Sequence, residues 1–179
     1  CVAQCKLPFN HVFRLAASAD GSRIVSAAWK EGLAFWSGRE GDGAVVVQDV
    51  NTGSPISLSA DGRFAFNGTR DGKVTQWDFD QVRRVAAFEG HGGHVSAVAL
   101  TDDGRFCVSG GEDRSVRLWA VESGQCLAIL RGHTDWVYDV AITPDARLIV
   151  SIGTDRTLMT WNVPEVILAP AGTARKRGY

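Results

Sequence analysis

The chain has 179 residues, 45% hydrophobic and 22% charged, with a formal net charge of −1. Those values fit one soluble domain with its own core, and they lack the basic footprint of a nucleic-acid binder. No apolar run is long enough to span a bilayer, and the N-terminus shows no basic-then-apolar signal pattern.

Residues 1–10 read as the outer strand of a preceding or closing unit, because Gln4-Cys5 precedes the first core as Gln125-Cys126 precedes the fourth. Unit 1 (11–48) holds expected strands at 12–17, 23–27, 33–36 and 44–48, with Asp20-Gly21 as a turn. Unit 2 (49–88) opens its short first strand at Pro55 and continues at 63–67, 74–77 and 82–88. Unit 3 (89–130) contributes 95–100, 106–109, 115–119 and 126–130. Unit 4 (131–168) contributes 136–142, 148–151, 157–161 and a weak last strand at 166–168. Residues 169–179, with Arg175-Lys176-Arg177, read as a flexible basic tail. Short strands separated by Asp-Gly or Gly-rich turns every eight to twelve residues describe antiparallel meanders, and no helical period interrupts them. The prediction is all-β.

Anchored on tryptophan, residues 18–36, 59–77, 101–119 and 143–161 align without a gap. Trp36, Trp77, Trp119 and Trp161 stand 41, 42 and 42 residues apart, the period of four-stranded propeller blades. The pairs Gly90-His91 and Gly132-His133, the turn residues Asp71, Asp113 and Asp155, and the terminal Trp resemble the WD-repeat β-propeller family over about residues 11–162. Only Trp77-Asp78 shows the dipeptide that names such repeats. The resemblance implies four four-stranded antiparallel blades. With ordinary Gly and Ala content in the inner strands and no disulfide to force a small ring, the expectation is an arc of a larger propeller.

The resemblance also implies a buried hydrogen-bond tetrad in each complete repeat. In the third unit it is His91, Ser109, Asp113 and Trp119; in the fourth, His133, Ser151, Asp155 and Trp161. The second unit has Asn67 and Asp49 in the Ser and His places. The first has Lys30 for Asp and Pro8 for His. Both networks are expected to be broken and those blades softer. Ser, His and Asp are also the parts of a hydrolase triad. Here they recur once per unit, with no GxSxG elbow, as structural parts do and a single active site does not. The chain is read as no enzyme.

In this family the face formed by the loops from fourth to first strand and from second to third strand binds partners. The matching positions are Trp136, Tyr138 and Thr154 in the fourth unit, His94, Ser96 and Glu112 in the third, Thr52, Ser54 and Arg70 in the second, and His11, Phe13 and Trp29 in the first. Trp, Tyr and Arg are the residue types enriched at binding hot spots. Phe13 and Trp29 carry a second reading, packing inward to repair the first blade. The expected function is a non-catalytic protein-protein interaction scaffold that docks a protein or peptide on that face. The alternative is a regulatory or substrate-docking WD-repeat region of a larger enzyme, a kinase or an NTPase. Phosphoinositide or nucleic-acid binding through Arg70, Arg83, Arg84 and the basic tail is a lesser reading, because a short basic run is usually a solvated end. Further repeats of the same chain, or a second copy, are the other partners considered; a membrane is not.

Cys1, Cys5, Cys107 and Cys126 form no CxxC pair. Cys1, Cys5 and His11 lack a fourth metal ligand, the GHGGH run at 90–94 reads as a loop with a spare histidine, and no GxxxxGK[ST] phosphate loop exists. No metal or cofactor is expected. Reduced thiols imply the cytoplasm. The missing initiator Met suggests a segment of something longer, or a processed or incomplete chain.

Overall fold

Each unit starts from one local device, a turn written Ser/Thr-x-Asp. In unit 1 the Ser18 hydroxyl donates to Asp20 Oδ1 at 2.5 Å and accepts from the Arg23 N–H at 3.0 Å, while Asp20 accepts from the Ser22 N–H. Ser59 with Asp61, Thr101 with Asp103 and Thr143 with Asp145 repeat the arrangement. The fourth turn residue is left-handed in every case: Gly21, Gly62, Gly104 and, in unit 4, Ala146 at φ 58°. A side-chain oxygen that accepts local backbone N–H groups fixes such a turn, and glycine meets the positive φ without strain.

The computed structural model describes residues 6–7, 9–37, 43–48 and 51–168. The expected outer strand at residues 1–5 and 8, Asp49, and the basic tail at 169–179 lie outside the described residues. Four antiparallel sheets follow one another. The first is β1 (Val12–Ala17), β2 (Ile24–Ala28), β3 (Gly32–Trp36) and β4 (Val45–Gln48). The second is β5 (Thr52–Leu58), β6 (Phe64–Thr69), β7 (Lys73–Asp78) and β8 (Arg83–Glu89). The third is β9 (Val95–Leu100), β10 (Phe106–Gly111), β11 (Ser115–Ala120) and β12 (Cys126–Arg131). The fourth is β13 (Val137–Ile142), β14 (Leu148–Gly153) and β15 (Leu158–Asn162). Within each sheet the strands lie in chain order, which is the meander of a propeller blade.

Two expectations change. The fourth blade has three strands among the described residues, not four. The stretch expected as its last strand is a helical turn, α1 (Glu165–Leu168), with the Ile167 N–H bonded to the Pro164 carbonyl at 3.0 Å. Proline sets a helical φ at the start of a turn and cannot donate to a ladder, so the segment leaves the sheet there. In the second blade, β5 runs through Pro55 instead of starting at it. The pairs Thr52↔Thr69 and Ile56↔Asn67 bracket two extra residues on β5. Pro55 sits within this irregularity, where no ladder donor is needed.

The core lies between the blades. Val25, Leu33 and Phe35 of the first meet Leu58, Trp77 and Phe79 of the second; Phe66, Val74 and Phe88 of the second meet Val95, Cys107 and Trp119 of the third; Val108, Val116 and Leu118 of the third meet Val137, Val140 and Ile149 of the fourth. The second and third strands of the first three blades are therefore buried on both faces, and FAFNGT and FCVSGG read without alternation. Close approach depends on glycine. A Cβ on Gly68 would stand 2.7 Å from Val95, and one on Gly110 would collide with Val137. At the open ends of the row, Leu15 and Leu158 are 71% and 65% exposed.

Candidate functional site

The loops between blades are held from beneath by the polar networks. His91 Nδ1 lies 2.9 Å from Asp113 Oδ1, its Nε2 lies 2.7 Å from Ser109 Oγ, and Trp119 Nε1 donates to the same hydroxyl at 2.8 Å. One proton arrangement satisfies all of them: Trp119 N–H to Ser109, Ser109 O–H to Nε2, and Nδ1–H to the carboxylate. Asp113 also accepts from the Gly92 N–H at 3.1 Å and the Ser115 hydroxyl at 2.8 Å, which ties the β8–β9 loop to the β10–β11 turn. The fourth blade repeats this with His133, Asp155, Ser151 and Trp161 at 2.8–2.9 Å, the Thr134 N–H completing the carboxylate.

Burial pushes the His91 imidazole below its ordinary value, against the pull of Asp113, so the ring is neutral at pH 7. Burial alone would raise Asp113, yet bonds from His91, Gly92 and Ser115 hold it well below the usual carboxylate range. Asp155 is lowered in the same way, with Thr157, Thr134 and His133 as donors. Ser109 and Ser151 are buried, and each hydroxyl is engaged by its histidine and its tryptophan. Each triad-like set is a strut under a loop. Among the described residues no cluster of three or more His, Cys, Asp or Glu is placed to hold a metal ion.

The second blade was expected to have a broken network and instead has a rewired one. Trp77 Nε1 donates to Asn67 Oδ1 at 2.8 Å, and the Thr75 hydroxyl donates to the same oxygen. An amide oxygen can accept twice, so Asn67 with Thr75 replaces the Ser–His pair inside one blade, without tying down the loop above. Asp71, lacking a histidine, is 3.9 Å from Lys73. Trp77 and Trp119 are buried, whereas Trp36 and Trp161 are half-buried, on blades with one neighbouring blade among the described residues.

Sequence pattern gave no sign of the device that aims the face residues. Each inner strand of the first, third and fourth blades carries a one-residue bulge near its start: between Val12 and Arg14, between Val95 and Ala97, and between Val137 and Asp139. The extra residues are Phe13, Ser96 and Tyr138. A bulge turns its extra side chain out of the regular alternation. Phe13 and Tyr138 are each 58% exposed. The Ser96 hydroxyl is spent on the carbonyls of Gly110 and Val137, joining the third blade to the fourth.

The remaining face residues separate into two groups. Trp29, Arg70, His94 and Glu112, from three successive blades, come together. The Trp29 and His94 rings meet edge to face at 5.0 Å, the Arg70 guanidinium lies over Trp29 at 5.7 Å, and His94 Nδ1 is 3.6 Å from Glu112. His94 Nε2 is buried without a partner, against Gly53. Burial lowers the His94 imidazole below its ordinary value. Trp29 is thus half-buried in an inter-blade brace. Trp136, Tyr138, His11 and Phe13 stay exposed. His11 and Phe13 lie 6.2 Å apart. Among loop carbonyls, Asn51, His94 and Trp136 accept from the N–H groups of Arg70, Glu112 and Thr154, which makes Asn51 the counterpart of His94 in the second blade.

The family model for the WD domain, G-beta repeat, matches residues 82–120 and 124–162. The solved structure of U3-55K superposes with a TM-score of 0.72 at 26% identity, covering 87% of this chain and 52% of that one. Residues 82–120 and 124–162 are two WD repeats. The chain spans about half the length of U3-55K. No curated protein matches it. The two WD repeats are out of phase with the blades. The first runs from β8 through β11 and the second from β12 through β15, so each supplies the outer strand of one blade and the inner three of the next. By that phase the second repeat ends at β15. WD repeats generally mediate protein-protein interaction, and WD-repeat proteins are generally non-catalytic scaffolds.

Proposed function

We propose that this chain is a non-catalytic scaffold that docks a protein or peptide on the face built from the fourth-to-first-strand and second-to-third-strand loops. One observation carries the reading. On that face Trp136 and Tyr138 project 51% and 58% exposed from the start of β13, while Val137 between them is fully buried and the His133–Asp155 strut lies beneath. Large aromatic side chains on a rigid base lose little conformational freedom when a partner covers them, which is what a hot spot requires.

A photo-crosslinking amino acid placed at Tyr138, compared with one at Asp102 on the opposite face, tests the reading. Crosslinks to a protein partner are expected from position 138 and not from 102. The reverse pattern would overturn it.

A further inference from the structure

We propose that the aromatic pair at the start of β13 takes a cationic segment, a lysine- or arginine-bearing stretch of a protein partner. This rests on the loop face being the docking surface and adds the chemistry of what docks there. Two carboxylates bracket the aromatics in the chain, Asp135 before Trp136 and Asp139 after Tyr138. Both are exposed and both are fixed. Asp135 Oδ1 accepts from the Trp136 N–H at 2.8 Å, and Asp139 Oδ1 accepts from the Val140 N–H at 2.9 Å. Each bond occupies one oxygen, and neither carboxylate has an ion pair among the described residues.

Asp139 borders two cavities. One of about 170 Å³ is shared with Arg14 of β1, which makes no ion pair with it. The other, about 120 Å³ and mostly apolar, is lined in part by Ala141, Val150 and Ile152. A free carboxylate beside apolar side chains suits a long cationic side chain, whose stem buries while its head stays polar. Aromatic faces beside the carboxylates add cation–π attraction. An acidic segment would meet two like charges. The first blade offers the opposite choice, since Arg14 follows Phe13 where Asp139 follows Tyr138. Arg156, exposed in the β14–β15 turn, is the other cation on this blade's face and pairs with neither carboxylate.

The test titrates a blocked Gly-Arg-Gly-Arg-Gly peptide, and its citrulline counterpart, into the isotope-labelled protein. The arginine peptide should shift the backbone amides of residues 135–139 and the Trp136 indole saturably. Binding should fall about tenfold in the D135N/D139N double variant and with citrulline. Equal binding of the two peptides, no shift at 135–139, or an unchanged affinity in the double variant would overturn the proposal. An uncharged or acidic peptide that shifts the same amides would sink the cation chemistry and leave the docking face standing. Shifts confined to the Asp102–Asp103 turn would sink the docking face as well.

Discussion

Asp113 collects bonds from His91, Gly92 and Ser115, and removing its carboxylate leaves buried donors without acceptors. Asp113→Ala should cost about 2–4 kcal/mol in a urea melt. Lys30 occupies the aligned place in the first blade, is exposed, and holds a left-handed φ of 62°. Lys30→Gly should be neutral or gain up to about 1 kcal/mol, because glycine adopts that φ freely. Equal losses in both would show that Asp113 is no keystone. Acid should weaken the fold through the same residues. A lowered carboxyl contributes stability above its unfolded value near 3.8, lost as pH falls through the folded value. The lowered His91 acts in the same direction from pH about 6.5 downward, because the unfolded chain binds that proton first. Stability should therefore decline from pH 7 to 5, and His91→Gln should flatten that segment. A rise in stability on acidification would contradict the assignment.

The strands were legible because each core is buried on both faces and closes on a turn with fixed chemistry. Gly104 and Gly110 separate the two kinds of glycine that this design uses. A Cβ on Gly104 meets nothing, so Gly104→Ala should cost only the left-handed φ, about 1 kcal/mol. Gly110 is the seat for Val137, and Gly110→Val should cost more, about 2–3 kcal/mol, through overpacking of the third blade against the fourth. Thermal melts of the two variants check the order. The tetrads were readable because His, Ser, Asp and Trp recur at constant offsets. Asn67 with Thr75 was not, because a substituted network keeps its geometry while losing its letters. The bulges escaped for a different reason: one extra residue in an apolar run leaves no mark on composition. The brace of Trp29, Arg70 and His94 joins residues 24 to 65 positions apart, which spacing within a repeat cannot foresee.

Among the described residues, the interfaces between successive blades are filled and the two ends of the row are open. Leu15 on the first blade, with Ile152 and Leu158 on the fourth, leaves apolar surface at each end of the row. The isolated chain should accordingly self-associate as concentration rises, and light scattering that stays monomeric at high concentration would count against open ends. The loop face remains the surface on which rigid support and exposed aromatics coincide. Its most direct test is partner binding by two double variants with unchanged melting temperatures. Trp136→Ala with Tyr138→Ala alters the loop face, and Asp102→Ala with Arg105→Ala alters the opposite one. The account predicts that binding falls at least about tenfold in the first and stays intact in the second. Loss in the second with retention in the first would contradict it.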